Sequence, residues 1–444
     1  MFLNFQKKLT YFVEQWPLVS LIFTSLFAHL IFVLVLGVQP HHHADSTDYI
    51  RLAERLLSFD FQHYEFEWTP GYPLLIGLSG MNFQLLVFFQ FILNLSSVLL
   101  LFKVSELLFS RAVSFLISLA PVLIINFYFY EQSVLTETFS LFLFMSIVYL
   151  FCVKEHTSRI MFYIGLLCSL LMFTRTMFLY LSPLVALCYV YENRANSLGF
   201  IVKRTMLLLG PTIIAFVFWC SVNKHHTGNF SLTPYFGINL AQTTVGFFDR
   251  YQGDHMEIKA IYMKHILNYE TLEDKHIKNA IWASYDELLL KTGMTLPELS
   301  KVLGKMSVEL ILDNPWLYLK QVGISYTDFW RNDLYWLKHL DNDFLNAGFI
   351  LWRRAGKGIQ LVLNLLFFLA TFYYGYLLVF KREKIVRTIV FIILSVQAAA
   401  LLQAMVIYGD NSRFSFPFYP FITLIAVYFV LDLCKFQKLK RSNT

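Results

Sequence analysis

Two carboxylates stand close together in the stretch His41-His42-His43-Ala44-Asp45-Ser46-Thr47-Asp48-Tyr49, directly after the first long apolar run. Trp68-Thr69-Pro70-Gly71-Tyr72-Pro73 follows about twenty residues later. An acid fixed at the lip of a bilayer can take a proton from a hydroxyl nucleophile. The plainer reading makes Asp45 or Ser46 an N-cap for the helix that follows, with Asp48 a favourable charge in its first turn. The two readings are compatible. Three more charged groups fall near the same predicted face: Glu137 in Thr136-Glu137-Thr138-Phe139, Arg175 in Phe173-Thr174-Arg175-Thr176, and Arg413 in Ser412-Arg413-Phe414. Ionisable groups at membrane depth are costly and by default paired or functional. A structural ion pair or snorkelling is the competing reading for Glu137 and Arg175. For Arg413 it is interfacial anchoring. The sharper reading of Arg413 is a phosphate clamp, since a guanidinium fork suits an anionic headgroup.

The elements that must position these groups are apolar helices. The chain of 444 residues is 57% hydrophobic and 18% aromatic, with only 15% charged residues, where soluble domains are nearer 25% charged. The apolar runs do not alternate, which excludes a barrel of outer-membrane type. The expected architecture is an all-α polytopic membrane protein of ten spans: Pro17–Val38, Phe83–Phe102, Ala112–Tyr130, Ser133–Val153, two short spans within Ile160–Tyr191 meeting at Arg175, Thr205–Ser221, Gly358–Phe380, Ile385–Val406 and Pro417–Leu433. Residues 1–221 form an N-terminal membrane module whose first outer loop is 39–82, 222–356 a helical outer domain, and 357–444 a C-terminal three-helix segment. Within the loop, Ser46–Ser58 reads as an amphipathic helix with Ile50, Ala53, Leu56 and Leu57 on one face. Tyr72–Leu78 is too short to span. Thr295-Leu296-Pro297-Glu298 is a capping-box helix start.

The net charge of +6 is a matter of orientation and not of nucleic-acid binding. Seventeen of the 36 Lys and Arg fall in the short loops of one face, and four (Arg51, Arg55, Arg175 and Arg413) in those of the other. The rest lie in or beside the long segment, which does not count for orientation. This asymmetry puts both termini in the cytoplasm and the candidate site on the opposite face of the cytoplasmic membrane. Met1 to Trp16 lacks the features of a cleaved signal peptide. The five cysteines lie in or beside apolar spans and form no disulfide or metal framework. Consecutive His41, His42 and His43 cannot all face one ion, so no metal site is assigned. Asp341-Asn342-Asp343 reads as a solvated turn, and His225-His226 as interfacial. No P-loop, dinucleotide fingerprint or nucleophile elbow is present.

Asp45-Ser46-x-x-Tyr49-x-x-Leu52-Ala53 followed by Thr69-Pro70-Gly71-Tyr72-Pro73-Leu74 resembles the first outer loop of the GT-C glycosyltransferases, the polyprenyl-phosphate-sugar-dependent enzymes related to protein O-mannosyltransferases and the lipid A aminoarabinose transferase. Further similar segments follow in order: Thr136-Glu137-Thr138-Phe139; Phe173-Thr174-Arg175-Thr176, with Thr176 in place of the usual Pro; Thr227-Gly228-Asn229-Phe230 and Gly237-Ile238-Asn239-Leu240; Asn314-Pro315-Trp316-x-Tyr318; Phe329-Trp330; and Ser412-Arg413-Phe414-Ser415-Phe416-Pro417. The resemblance covers nearly the whole chain. It departs in having three spans after the large loop, where many relatives have more, and in lacking the Asp-Glu pair of some relatives, which divides the acid's role between Asp45 and Asp48.

The resemblance implies a GT-C fold and an inverting transfer of one sugar from a polyprenyl-phosphate donor to an acceptor hydroxyl on a cell-envelope glycan, lipopolysaccharide or protein. Asp45, at the family position, or Asp48 would be the general base, Arg413 and Arg175 would hold the donor phosphate, and Glu137, Tyr72, Trp330 and Asn239 would contact substrate. Phe329, Trp330, Tyr335 and Trp336 would cover the sugar or isoprenoid, or else form an interfacial belt. No cofactor is required; metal dependence varies in the superfamily, so a divalent ion stays open. A flippase for lipid-linked sugars would also use embedded Arg and Glu, but has no need of a large outer domain and usually shows repeated halves. A glycan polymerase or ligase using lipid diphosphate donors is the third class.

Overall fold

The computed structural model describes residues 14–61, 67–270, 277–331, 343–409 and 411–442. Among them the secondary structure is helical, and extended pairing is confined to one isolated parallel bridge between His41 and Ser133. The first half runs α1 (Pro17–Leu36), α2 (Ala44–Ser58), α3 (Gly71–Leu78), α4 (Phe83–Ser105), α5 (Arg111–Leu119), α6 (Ile125–Glu131), α7 (Glu137–Val153), α8 (Ser158–Thr174), α9 (Leu181–Glu192) and α10 (Leu198–Thr227). The second half runs α11 (Phe236–Thr244), α12 (Met256–Glu270), α13 (Ala280–Thr292), α14 (Leu296–Asp313), α15 (Pro315–Phe329), α16 (Asp343–Val379), α17 (Arg387–Val406), α18 (Asn411–Phe414) and α19 (Tyr419–Ser442).

Among the described residues six helices are long and apolar enough to cross a membrane, and a bent pair would make a seventh. The remaining apolar helices, Glu137–Val153, Ser158–Thr174 and Thr176–Glu192, are shorter. At 1.5 Å per residue, a seventeen-residue helix reaches about 26 Å, less than a hydrocarbon core of about 30 Å. The expected third span is broken. Pro121 opens a 3-10 turn, Ile124 is extended, and the flanking helices bend by 59°. Proline cannot donate to the helix ladder and clashes with the preceding turn, so the break sits where the sequence puts it. The fourth begins at Glu137 and not Ser133, because the backbone of residues 132–134 is committed elsewhere. Gln132 carbonyl accepts from His41 N–H at 2.8 Å, and Val134 N–H donates to His41 carbonyl at 2.9 Å. The paired short helices do meet at Arg175, whose backbone is extended (φ −147, ψ 114).

Two cores form. The larger gathers α4, α7, α8, α9, α17 and α19 around Phe144, Phe151, Phe391, Phe418 and Phe421, and Phe329 and Trp330 at the end of α15 belong to it. The second is built from residues 238–310, with Tyr408 joining from the membrane module. In the second core α11 crosses α14 at Gly237, where a Cβ would stand 1.7 Å from Ser300 carbonyl oxygen. The amide of Gly237 donates to Ser300 Oγ at 3.0 Å. Helix α14 starts with the expected capping box, Thr295 N–H donating to Glu298 Oε2 at 2.9 Å. The polar segment is narrower than the expected 222–356, since α10 continues to Thr227 and α16 starts at Asp343. Tyr318 hydroxyl to Met405 carbonyl (2.7 Å), Asn411 Nδ2 to Ser325 carbonyl (3.1 Å) and Lys278 Nζ to Gly409 carbonyl (3.2 Å) dock the polar segment beside Arg413.

Candidate functional site

The segment between α1 and α4 is fixed by its own polar residues. His43 is the N-cap of α2, and its amide donates to Ser46 Oγ at 2.8 Å. Ser46 Oγ in turn donates to Val134 carbonyl at 2.8 Å. With the His41–Ser133 bridge, these bonds tie the start of α2 to the segment leading into α7. Neither Asp45 nor Ser46 is therefore the N-cap, as the sequence had led one to expect. Asp45 sits inside the first turn with its carboxylate free to reach sideways. The buried face of α2 is Ser46, Tyr49, Leu52 and Ala53; Leu57 is exposed. The apolar face expected from Ile50, Ala53, Leu56 and Leu57 is rotated because Ser46 and Tyr49 turn inward.

Four charged side chains from four parts of the chain converge. Arg413 Nη1 donates to Asp45 Oδ2 at 2.7 Å, and Arg413 Nε donates to Glu137 Oε1. Arg175 Nη1 donates to the same Glu137 Oε1 at 3.1 Å, while its guanidinium lies over the Phe414 ring, 4.5 Å from the centroid. Exposure is graded across the cluster: the side chain of Glu137 is 0% exposed, Arg175 7%, Arg413 10% and Asp45 30%. The site thus has a sealed end at Glu137 and an open end at Asp45. Glu137 Oε2 is buried and makes no hydrogen bond within the protein. Two guanidinium cations against two carboxylates leave the cluster neutral, which is the condition for burying charge at all.

Asp48 belongs to a different group. It accepts from Arg51 Nη2 at 2.8 Å, and Arg51 also pairs with Glu67. Burial raises the Asp48 carboxyl above its usual value, against an indole hydrogen bond from Trp68 and the charge of Arg51. His43, beside the cluster, is pushed down to about 4 by burial and by the Arg413 guanidinium.

Gly71 and Gln90 set the geometry from behind. A Cβ on Gly71 would lie 2.5 Å from Phe173 carbonyl carbon and Thr174 nitrogen, so only glycine lets α3 press on the backbone just before Arg175. Gln90 Nε2 donates to Glu131 and Ser133 carbonyls at 2.8 and 2.9 Å, holding the segment that leads to Glu137. Tyr72 is fully buried and its hydroxyl donates to Gln90 Oε1 at 3.1 Å, so it braces this segment and offers a ligand no surface. Trp330 is likewise buried, its ring 4.6 Å from Phe368 and 5.0 Å from Phe329. Asn239 is half-buried on α11 in the polar segment. Tyr335, Trp336, Asp341 and Asn342 lie outside the described residues.

Gln90, Gly71 and Ser46 were missed as positioning residues by sequence reasoning. The signal for Gln90 was present: an amide inside an otherwise apolar run needs partners. Among the described residues no three His, Cys, Asp or Glu side chains are grouped to hold a metal ion. The two acids that do converge are flanked by guanidinium groups, a donor set unsuited to a divalent cation. The chain matches no protein-family model, no curated protein and no solved structure.

Proposed function

We propose that this protein is an integral membrane glycosyltransferase of GT-C type, moving one sugar from a polyprenyl-phosphate donor to an acceptor hydroxyl at the outer face of the cytoplasmic membrane. The observation that carries this reading is the convergence of Asp45, Glu137, Arg175 and Arg413 in one cluster open to solvent only at its Asp45 end. These are the four residues whose types suit the reaction. A phosphate monoester leaving group needs cationic donors, and Arg413 and Arg175 supply a pair of them. An attacking hydroxyl needs a base, and Asp45 is the exposed acid of the cluster.

In the state described here Asp45 occupies Arg413. A donor phosphate competes for that guanidinium. Once the phosphate takes Arg413, Asp45 is released to accept the acceptor's proton, so the base is armed only when donor is bound. The acceptor oxygen then bonds to the anomeric carbon from the face opposite the phosphate. The carbon–oxygen bond to phosphate breaks, Asp45 holds the proton, and polyprenyl phosphate departs as the anion on Arg413 and Arg175. Glu137 stays buried and holds the two guanidinium groups in place.

Purified protein given a sugar on a polyprenyl monophosphate and a mixed glycan acceptor tests this. Release of free polyprenyl phosphate in step with acceptor glycosylation is the expected result. Sugar movement across a vesicle membrane without release makes the protein a flippase, and a strict need for lipid diphosphate makes it a polymerase or ligase.

A further inference from the structure

A second polar centre lies within the apolar helices, away from the charge cluster. Helices α1 and α4 and the broken α5–α6 segment line a partly open cavity of about 50 Å³, with Ser25, His29, Asn94 and Glu131 on its polar side and rings such as Phe32 and Phe91 elsewhere. Ser25 and His29 are one helical turn apart on α1, so both face inward. Glu131 is buried and accepts from Asn94 Nδ2 at 2.9 Å through Oε2; His29 Nδ1 lies 3.1 Å from Oε1.

Two atoms in this lining are left over. Asn94 is 8% exposed and its Oδ1 has no hydrogen bond; Ser25 is 6% exposed and its Oγ has none. On the same helix Ser20 and Thr24 bond back to the carbonyl four residues earlier, at 2.9 and 2.7 Å, the usual refuge of a hydroxyl among apolar neighbours. Ser25 declines that refuge. Buried polar atoms are partnered unless something outside the chain partners them. What remains on offer is an amide oxygen, a hydroxyl and a carboxylate, which together ask for a donor. A phosphate or carboxylate would meet the Glu131 carboxylate and the Asn94 amide oxygen, both of which repel an anion. The space holds a group the size of a few waters, and the apolar remainder of the lining suits a chain attached to it.

We infer that this cavity is a binding site for the head of a membrane amphiphile that donates hydrogen bonds and carries no negative charge, its polar atoms meeting Asn94 Oδ1, Ser25 Oγ and Glu131. The head is a hydroxyl or an ammonium group. The inference is independent of sugar transfer at Asp45.

The test titrates full-length protein in detergent with dodecanol, dodecylamine and dodecyl phosphate, reading bound ligand by native mass spectrometry. Saturable binding of the alcohol or the amine is expected, and the tighter of the two names the head. Asn94→Leu is expected to weaken it at least tenfold. Ser25→Ala removes an atom bonded to nothing in the protein, so folding is not at stake, and a threefold or greater loss is expected. Dodecyl phosphate, which has its own route to Arg413, is expected to bind both variants as it binds the parent. No saturable binding of alcohol or amine overturns the inference. So does affinity unchanged in Ser25→Ala, or phosphate binding that falls in parallel with the others.

Discussion

Arg413 donates a hydrogen bond to Asp45 at 2.7 Å across 368 residues of sequence. The same guanidinium donates through Nε to Glu137, so one side chain near the last apolar helix holds together the start of α2 and the start of α7. Arg413 stands between a wholly buried acid and a partly exposed one. The inner contact is sealed from solvent and the other partly exposed, and this difference yields distinct consequences for each residue.

Glu137→Gln leaves Arg175 and Arg413 buried without their shared counter-charge. Removing one partner of a buried pair costs about 3–5 kcal/mol, and thermal unfolding of the detergent-solubilised protein is expected to register a loss of that order. Asp45→Asn acts at a site 30% exposed, where solvent takes over much of the lost interaction. Its cost is expected to be about 1 kcal/mol or less. Equal losses for the two variants would contradict the graded burial.

The approach of α3 to the backbone before Arg175 rests on Gly71. A methyl group there would stand 2.5 Å from Phe173 and Thr174 backbone atoms, so Gly71→Ala is expected to cost about 1–3 kcal/mol and displace Arg175. Gly237→Ala, with its 1.7 Å approach to Ser300, is expected to loosen the packing of α11 on α14 similarly. Gly210, also helical, has nothing within 4 Å of its would-be Cβ. Gly210→Ala is expected to be neutral or stabilising by up to about 1 kcal/mol. Unfolding temperatures of the three variants check the ordering.

Stability is expected to fall with acid below about pH 6.5 through His43. Its folded-state value is depressed from 6.5 to about 4, chiefly by burial, so between those values the unfolded chain binds a proton that the folded chain refuses. The contribution is full above 6.5 and is lost as pH falls toward 4. After allowance for partial exposure it is about 1 kcal/mol. Asp48, raised by burial, works in the opposite sense and only in the carboxylate range. His43→Asn keeps an N-cap residue and is expected to flatten the unfolding midpoint between pH 7 and 5. An unchanged slope in that variant would assign the acid sensitivity elsewhere.

Much of this site was legible in the sequence because charge in an apolar run is conspicuous. Asp45, Glu137, Arg175 and Arg413 stand out by type alone, and the meeting of two short helices at Arg175 followed from a run too long for one helix. What could not be read was which acid meets which base. The resemblance sets Asp45 ahead of Asp48, but neither residue's partner can be read from it; the bridge of His41 to Ser133 and the bond from Ser46 to Val134 turn Asp45 toward Arg413. Aromatic side chains serve packing and recognition alike, so the sequence could not show that Tyr72 and Trp330 are packed into the interior in this structure. The break at Pro121 was visible as a proline, but the run around it is continuously apolar and hides the bend. The ten expected spans included three helices whose apolar character is clear and whose length falls short.

The central claim is that Asp45, armed by donor binding at Arg413, is the base in a sugar transfer. Its most direct test compares Asp45→Asn and Asp48→Asn in polyprenyl phosphate release from a monophosphate-linked sugar, with both variants shown to be folded. Loss of about a hundredfold or more is expected for Asp45→Asn, within the range general bases contribute, and less than tenfold for Asp48→Asn. Full activity in Asp45→Asn would contradict the account.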